Sequence, residues 1–254
     1  MPEGDTIAWA AHRMRPVLAG QVPEEIITPQ PRHAMDRWPE RLAGRRVNSV
    51  DTHGKHLFIR FEGGLVLHSH LRMSGAWLVA RARRPWRRAW LILRSRDRWV
   101  VQLEGPVLEL MTEGRSRFDQ RLSRLGPDVL APQFDGETFL RRLRDEDPGR
   151  TIGDALLDQS ILAGIGNLWK AEGCWEAAID PWRALSGVSN PEALGLIEAV
   201  RPRMLRSAVD GPRTIQPRVY LRHGRPCPRC GTAITARGQG DDNRTTYWCP
   251  GCQR

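Results

Sequence analysis

The last thirty residues contain Cys227-Pro228-Arg229-Cys230, then eighteen residues, then Cys249-Pro250-Gly251-Cys252, a C-x2-C-x18-C-x2-C pattern. Two residues between thiolates let both sulfurs reach one tetrahedral ion from a tight turn. The fifth cysteine, Cys174, stands alone, and an odd count without a secretion signal argues against a disulfide framework. Two disulfides or an iron–sulfur cluster are the alternatives; zinc is the expected ion. Four thiolates close its coordination shell and leave no place for water, so the ion is expected to be structural. A tail this short cannot bury a sufficient core, and metal binding would supply its folding energy. Ala233–Ala236 and Thr245–Trp248 read as a hairpin with Arg237 to Arg244 at its tip. Cys174 reads as a small buried hydrophobe.

The 254-residue chain carries 39 basic and 29 acidic residues, a net charge of +10, and all basic residues but Lys55 and Lys170 are Arg. Arginine forks suit phosphate, so a polyanionic partner is indicated, against the blander reading of a solvated basic surface. No run approaches the roughly 20 apolar residues of a membrane span. The N-terminus has acidic residues where a signal peptide needs basic ones, so a cytosolic protein is expected.

Upstream of the tail the pattern changes twice. Ile7, Ala10, Ala11, Met14 and Leu18 recur at helical spacing, predicting a helix over Thr6–Leu18. Asp5 or Thr6 would cap it, Gly20 would end it, and Pro16 would kink or shorten it. Short β-like runs follow at Val47–Asp51, His56–Phe61, Leu65–His70, Trp77–Ala80, Ala89–Arg94, Trp99–Leu103 and Val107–Met111. That many short strands suggests a sandwich or barrel. Arg81–Arg88 is a basic loop. Helices are predicted at Asp135–Arg144, from Thr151 toward Leu157 behind a capping-box-like start, at Leu168–Ala178 and at Pro191–Ala208, kinked at Pro202.

Several motifs now occur in order. They are Met1-Pro2-Glu3-Gly4, Gly54-Lys55, His70-Leu71-Arg72-Met73-Ser74-Gly75, the run Leu156 to Asn167 (LLDQSILAGIGN), and the terminal cysteines. Each except the last is weak alone; together they resemble the formamidopyrimidine-DNA glycosylase and endonuclease VIII family over nearly the whole chain. The resemblance implies a multidomain α+β fold: a β-sandwich with a leading helix over 1–122, a helix–two-turns–helix domain over 123–215, and a zinc-ribbon hairpin over 216–254. Damaged DNA would lie in the cleft between the halves. No small-molecule cofactor and no membrane are expected, and a monomer suffices.

The resemblance also assigns roles. Removal of Met1 would expose Pro2 as a secondary amine, and Glu3 would be the general acid/base beside it. Lys55 would contact DNA near the lesion, Asn167 a phosphate, and Arg244 would be the hairpin arginine. Met73 would be a wedge filling the space left by a flipped base, with Arg72 its neighbour. The blander readings are a helix-leading proline with a first-turn acid, a strand-end lysine, an N-cap asparagine, a solvated tip arginine and a core methionine. The implied reaction is base removal followed by strand scission through β,δ-elimination. Position 6 is Thr, where many relatives carry a second glutamate, and Arg115, Arg117 and Phe118 only loosely echo the wedge motif of the formamidopyrimidine branch. Gly4-Asp5-Thr6 leans toward endonuclease VIII, and hence toward oxidised pyrimidines. Two competing readings keep the charge and the cysteines without the chemistry: a zinc-ribbon protein that binds abasic or distorted DNA, and an RNA-binding zinc-ribbon protein. A free proline amine separates them from the enzyme, because a pure binder has no need of one.

Overall fold

The computed structural model describes residues 2–241 and 243–254, so Met1, whose removal the resemblance implies, and the tip residue Asp242 lie outside the described residues. The chain divides into two compact units, Met1–Ser123 and Arg124–Arg254.

In the first unit, α1 (Gly4–Leu18) buries the predicted stripe Ile7, Ala10, Ala11, Met14 and Leu18. It begins two residues earlier than its periodicity suggests. Glu3, in extended backbone, is the N-cap, whereas Asp5 and Thr6, the expected caps, lie inside the first turn. Pro16 does not shorten the helix: it sits in the last turn, where a missing N–H removes a single bond, and α1 runs on to Leu18. A short strand β1 (Glu25–Ile27) and two single-turn helices, α2 (Pro31–Met35) and α3 (Trp38–Leu42), follow; none was visible in the sequence pattern.

The predicted strands are present, several of them one or two residues longer: β2 (Val47–His53), β3 (His56–Phe61), β4 (Leu65–His70), β5 (Ala76–Ala80), β6 (Ala89–Ser95), β7 (Arg98–Leu103) and β8 (Val107–Thr112). They form two antiparallel four-stranded sheets, ordered β2-β3-β4-β8 and β1-β6-β7-β5. Leu57, Ile59, Phe61, Leu65 and Leu67 of one sheet share a core with Trp77, Leu91, Leu93 and Val100 of the other and with the α1 stripe. Each such fully buried side chain contributes roughly 1.5–3 kcal/mol. The alternation along β3 and β4 leaves a second face carrying His56, Phe58, His68 and His70. Leu122 packs on Phe58, Val66 and Met111 of that face. It belongs to the segment that follows β8, with helices α4 (Glu113–Phe118) and α5 (Gln120–Ser123).

The second unit holds α6 (Gly136–Arg144), α7 (Ile152–Ala155), α8 (Asn167–Glu176) and α9 (Asn190–Asp210), then the hairpin β9 (Thr235–Gln239) and β10 (Arg244–Trp248). Asp135 caps α6 through Thr138 N–H, and Thr151 caps α7 through Asp154 N–H. The helix opened by Thr151 is one turn long and stops short of Leu157. Ser189 and Glu192 form a full capping box on α9 that sequence reading passed over, and the helix continues through Pro202. Trp169, Phe139, Ile152, Leu156 and Ile197 form the core among these helices. The hairpin shares a smaller cluster with α8, in which Ala171 and Trp175 pack against Val219, Cys227, Ile234 and Cys249.

Candidate active site and metal centre

In the first unit the N-terminal segment enters α1 through Pro2, half-buried, and Glu3, whose residue is 3 % exposed. The carbonyl of Glu3 accepts the first helical bond, from Ile7 N–H at 3.1 Å. Glu3 follows Pro2 directly in the chain and is withdrawn from water, unlike a solvated first-turn charge.

Lys55 occupies the two-residue turn between β2 and β3, where Gly54 has a φ of +55°. The pairing of His56 with His70 places this turn beside the end of β4, from which the His70–Gly75 segment leaves. The charges of Lys55 and Arg72 both reach the His70 imidazole and help hold its pKa at about 4, below 6.5, after burial as the larger cause. In that turn Arg72 takes left-handed backbone with φ +49°, and Arg72 N–H donates to His70 Nδ1 at 3.1 Å. Gly75 N–H closes the turn on Leu71 O at 3.0 Å. A Cβ on Gly75 would lie 2.9 Å from both Gly105 Cα and Leu71 O, so only glycine fits. Met73 is 67 % exposed, which removes the sandwich-core reading of that side chain. The loosely matching Arg115, Arg117 and Phe118 lie on α4 rather than in a turn, with Phe118 87 % exposed.

In the second unit Gly166 is the N-cap of α8 and Asn167 the first helical residue, so Asn167 is not itself the cap. Its Nδ2 donates to Thr245 O at 2.7 Å, tying the helix start to β10 next to Arg244. Asn167 Oδ1 is buried and, among the described residues, has no hydrogen-bond partner. Arg244, half-buried, pairs in register with Gln239 and lines a cleft of about 580 Å³ with Arg150, Asp154, Asp158 and Asp241. Arg237, expected at the tip, is instead inside β9, stacked over Trp182 at 4.3 Å. The tip is shorter than predicted because β9 extends to Gln239.

Sequence reading missed the residues that hold the hairpin down. Lys170 is fully buried on α8; its Nζ donates to Gln239 Oε1 at 3.2 Å and to Thr246 Oγ1. Gln239 Nε2 in turn donates to Pro181 O at 2.7 Å and Thr151 Oγ1 at 3.0 Å. Glu172, also fully buried, accepts backbone N–H bonds from Arg218, Val219 and Tyr220 and an ion pair from Arg203 at 2.9 Å. The available signal was a lysine in a chain that otherwise uses arginine, set with an acid inside an apolar helix.

The four cysteine sulfurs lie within 4.8 Å of one another, with Cys227–Cys252 at 3.9 Å and Cys230–Cys249 at 3.4 Å. A tetrahedral ion with sulfur at about 2.3 Å needs sulfur–sulfur edges of about 3.8 Å, so the donors fit one such ion. Trp175 Nε1–H at 3.2 Å and Arg229 N–H at 3.4 Å both point at Cys227 Sγ, the second layer of bonds a bound thiolate requires. Gln253 braces the second cysteine pair, accepting from Cys249 N–H at 2.7 Å and donating to Ile179 O at 2.9 Å. Cys174 lies apart and fully buried, its thiol pushed up to about 12 by burial, in line with a packing role.

Known proteins resemble the chain over its whole length. Residues 1–121 match the formamidopyrimidine-DNA glycosylase N-terminal domain, and residues 125–218 match the H2TH domain of the same family. The chain is 42 % identical to a probable endonuclease 8 2 of Streptomyces coelicolor, covering 100 % of this chain and 94 % of that protein. It is 34 % identical to the DNA-(apurinic or apyrimidinic site) lyase Nei2 of Mycolicibacterium smegmatis, covering 100 % and 99 %. The fold is that of the Lactococcus lactis formamidopyrimidine-DNA glycosylase crystallised with abasic-site DNA, with a TM-score of 0.85 over 100 % of both chains at 23 % identity. The chain belongs to the formamidopyrimidine-DNA glycosylase family. Among the described residues no helix is long and apolar enough to cross a membrane.

Proposed function

We propose that this protein is a base-excision DNA glycosylase and abasic-site lyase whose nucleophile is the mature N-terminal nitrogen of Pro2. The observation that carries the reading is an exclusion among amines. Schiff-base chemistry needs an amine, and the sequence offers the terminal one, Lys55 and Lys170. Lys170 is fully buried in the hairpin anchor and spent on Gln239 and Thr246. Lys55, half-buried in a turn beside Arg72, presents its positive charge to His70. An α-amine titrates at about 7.7–8.0 and is partly neutral near pH 7. Its neighbour in the chain, Glu3, is buried.

The steps follow from that nitrogen. Its lone pair forms a bond to the sugar C1′, and the damaged base leaves with the bonding pair. The ring C1′–O4′ bond then breaks, its pair going to the oxygen, and the nitrogen becomes double-bonded to C1′ as an iminium that withdraws electrons and acidifies the C2′ proton. Glu3 gives a proton to the ring oxygen as the sugar opens and takes one during elimination. Loss of the 3′ phosphate and then the 5′ phosphate completes β,δ-elimination. Lys55, Asn167 and Arg244 hold phosphates or sugar, and Met73, with Arg72, enters the stack when the base flips. The duplex phosphates, against a chain of net charge +10, make binding steeply salt-dependent.

The ion at Cys227, Cys230, Cys249 and Cys252 is read as zinc, structural because four thiolates fill its shell. The sandwich over 1–122, the helical domain over 123–215 and the ribbon over 216–254 form the working parts of a cytosolic monomer. The substrate read from Gly4-Asp5-Thr6 is an oxidised pyrimidine such as thymine glycol, dihydrouracil or a 5-hydroxylated pyrimidine. A panel of duplexes carrying one lesion each tests it; faster release of oxidised purines would overturn the pyrimidine assignment. Borohydride added to Met1-processed protein on abasic DNA is expected to trap a covalent adduct. Tight binding to the same DNA with no adduct would leave a non-catalytic damage binder instead.

A further inference from the structure

Three histidines stand together on the outward face of the β2-β3-β4-β8 sheet, outside the motifs that define the family resemblance except at His70. His56 Nδ1 and His68 Nε2 are 2.8 Å apart, and His68 Nδ1 lies 3.3 Å from Glu109 Oε2. Glu109 is paired with Arg121 at 2.8 Å, and Arg121 with Asp119 at 2.7 Å. The His56 ring lies 4.7 Å from the His70 ring. A cavity of about 270 Å³ opens onto His56, His68, His70, Arg72 and Arg121.

The hydrogen bonds dictate the tautomers. A carboxylate only accepts, so His68 carries its proton on Nδ1 and presents a lone pair at Nε2. His56 therefore donates from Nδ1. His70 Nδ1 accepts the Arg72 N–H at 3.1 Å, so it holds a lone pair and the proton sits on Nε2. All three rings are neutral in this pattern. A protonated His70 would carry a hydrogen on Nδ1 and would repel the Arg72 amide, which already sits in left-handed backbone at φ +49°.

We propose that the imidazole ladder His56–His68–His70, anchored through Glu109 and Arg121, is a positioning device for the turn that carries Arg72 and Met73, and that it works only with His70 neutral. The proposal rests on the reading of that turn as the element that enters the DNA at the lesion. The surroundings enforce neutrality. Cations face His70 from two sides, Arg72 on its own turn and Lys55 on the β2–β3 turn, and His68 and His56 crowd it along the sheet. His53 and Arg121 face His56, while Glu109, Arg121 and Asp119 face His68. Burial, then these neighbours, lower His70 to about 4 and His56 to about 2, and His68 is lowered by burial against the opposing pull of Glu109. Single-turnover rates should therefore show no titration of His70 between about pH 5.5 and 8, unlike an ordinary histidine near 6.5.

Two measurements on the full zinc-loaded chain test this. In NMR titration the His70 ring is expected to titrate below about pH 5, with the Arg72 amide resonance leaving its position at the same pH. A His70 titration near 6.5 that leaves the Arg72 amide unmoved would overturn the proposal. The second compares release of thymine glycol with cleavage of a preformed abasic site in the same duplex. Glu109→Ala is expected to slow base release about tenfold, the loss of about one charge-assisted hydrogen bond, and abasic cleavage less than about threefold. Glu109→Gln keeps an acceptor for His68 and should recover most of the base-release rate. Equal losses in both reactions, or none in either, would refute the positioning role. Absence of any adduct from the wild type would instead refute the enzymatic reading, and the titration would still decide the ladder.

Discussion

The two units solve the same task by different means. The first places the residues proposed for its site on turns and ends of a sandwich whose interior is apolar: Pro2 and Glu3 at the start of α1, Lys55 in one β-turn, Arg72 and Met73 in the next. The second places Asn167 and Arg244 on a helix start and a hairpin end that are joined by buried polar bonds, with four sulfurs at the far end of the hairpin. Buried polar anchors are unforgiving, because each lost partner leaves another group unsatisfied. The first unit should therefore tolerate conservative change around its site, whereas the second should fail abruptly.

That contrast can be broken most severely at the metal. Cys249→Ser is expected to abolish metal binding and unfold the hairpin, a loss of several kcal/mol, with the first unit still folded. Metal content and the hydrogen exchange of each unit would show it; an intact hairpin without metal would contradict the proposed dependence. The next effect is Lys170→Met, which leaves Thr246 Oγ1 without the ammonium donor and Gln239 Oε1 with the Thr246 hydroxyl alone, and should cost about 2–4 kcal/mol in the second unit. Denaturant unfolding checks it, and a change below about 0.5 kcal/mol would mean the anchor is dispensable.

Acid sharpens the comparison from the other side. His56 and His70 have folded pKa values of about 2 and 4, depressed from 6.5, so below about pH 6.5 the unfolded chain binds protons that the folded chain refuses. Stability of the first unit is thus greatest above that pH and falls as pH drops toward 4, by at most about 1.4 kcal/mol per pH unit for each histidine. Thermal unfolding followed separately in each unit at pH 8, 6.5 and 5 should show the loss in the first; a first unit equally stable at all three would contradict it. The smallest effect is expected from Arg244→Ala. It should weaken DNA binding about tenfold and flatten its salt dependence by one phosphate contact, with the metal retained. Undiminished binding would remove the clamp role.

Legibility followed the same divide. Strands β2 to β8 and the α1 stripe were visible because alternation and helical period report directly on a shared apolar core. The strand β1 and the single turns α2 and α3 were not, being too short for any period to register. Motif residues could be placed because turns need particular residues, as Gly75 shows against Gly105. Lys170, Glu172 and Gln239 carried no such mark: the bonds of Lys170 and Glu172, and that of Gln239 to Thr151, span about 30 to 90 positions, and only tertiary packing brings them together. Arg237 was misplaced for a related reason, since its stacking on Trp182 belongs to the fold and not to the local pattern.

The nucleophile is open to direct identification. Borohydride-trapped protein–DNA adduct, digested and mapped by mass spectrometry, is expected to carry the sugar remnant on the N-terminal peptide at Pro2, and protein with Met1 retained should form none. A remnant on Lys55, or an undiminished adduct from the blocked chain, would contradict catalysis by the terminal nitrogen.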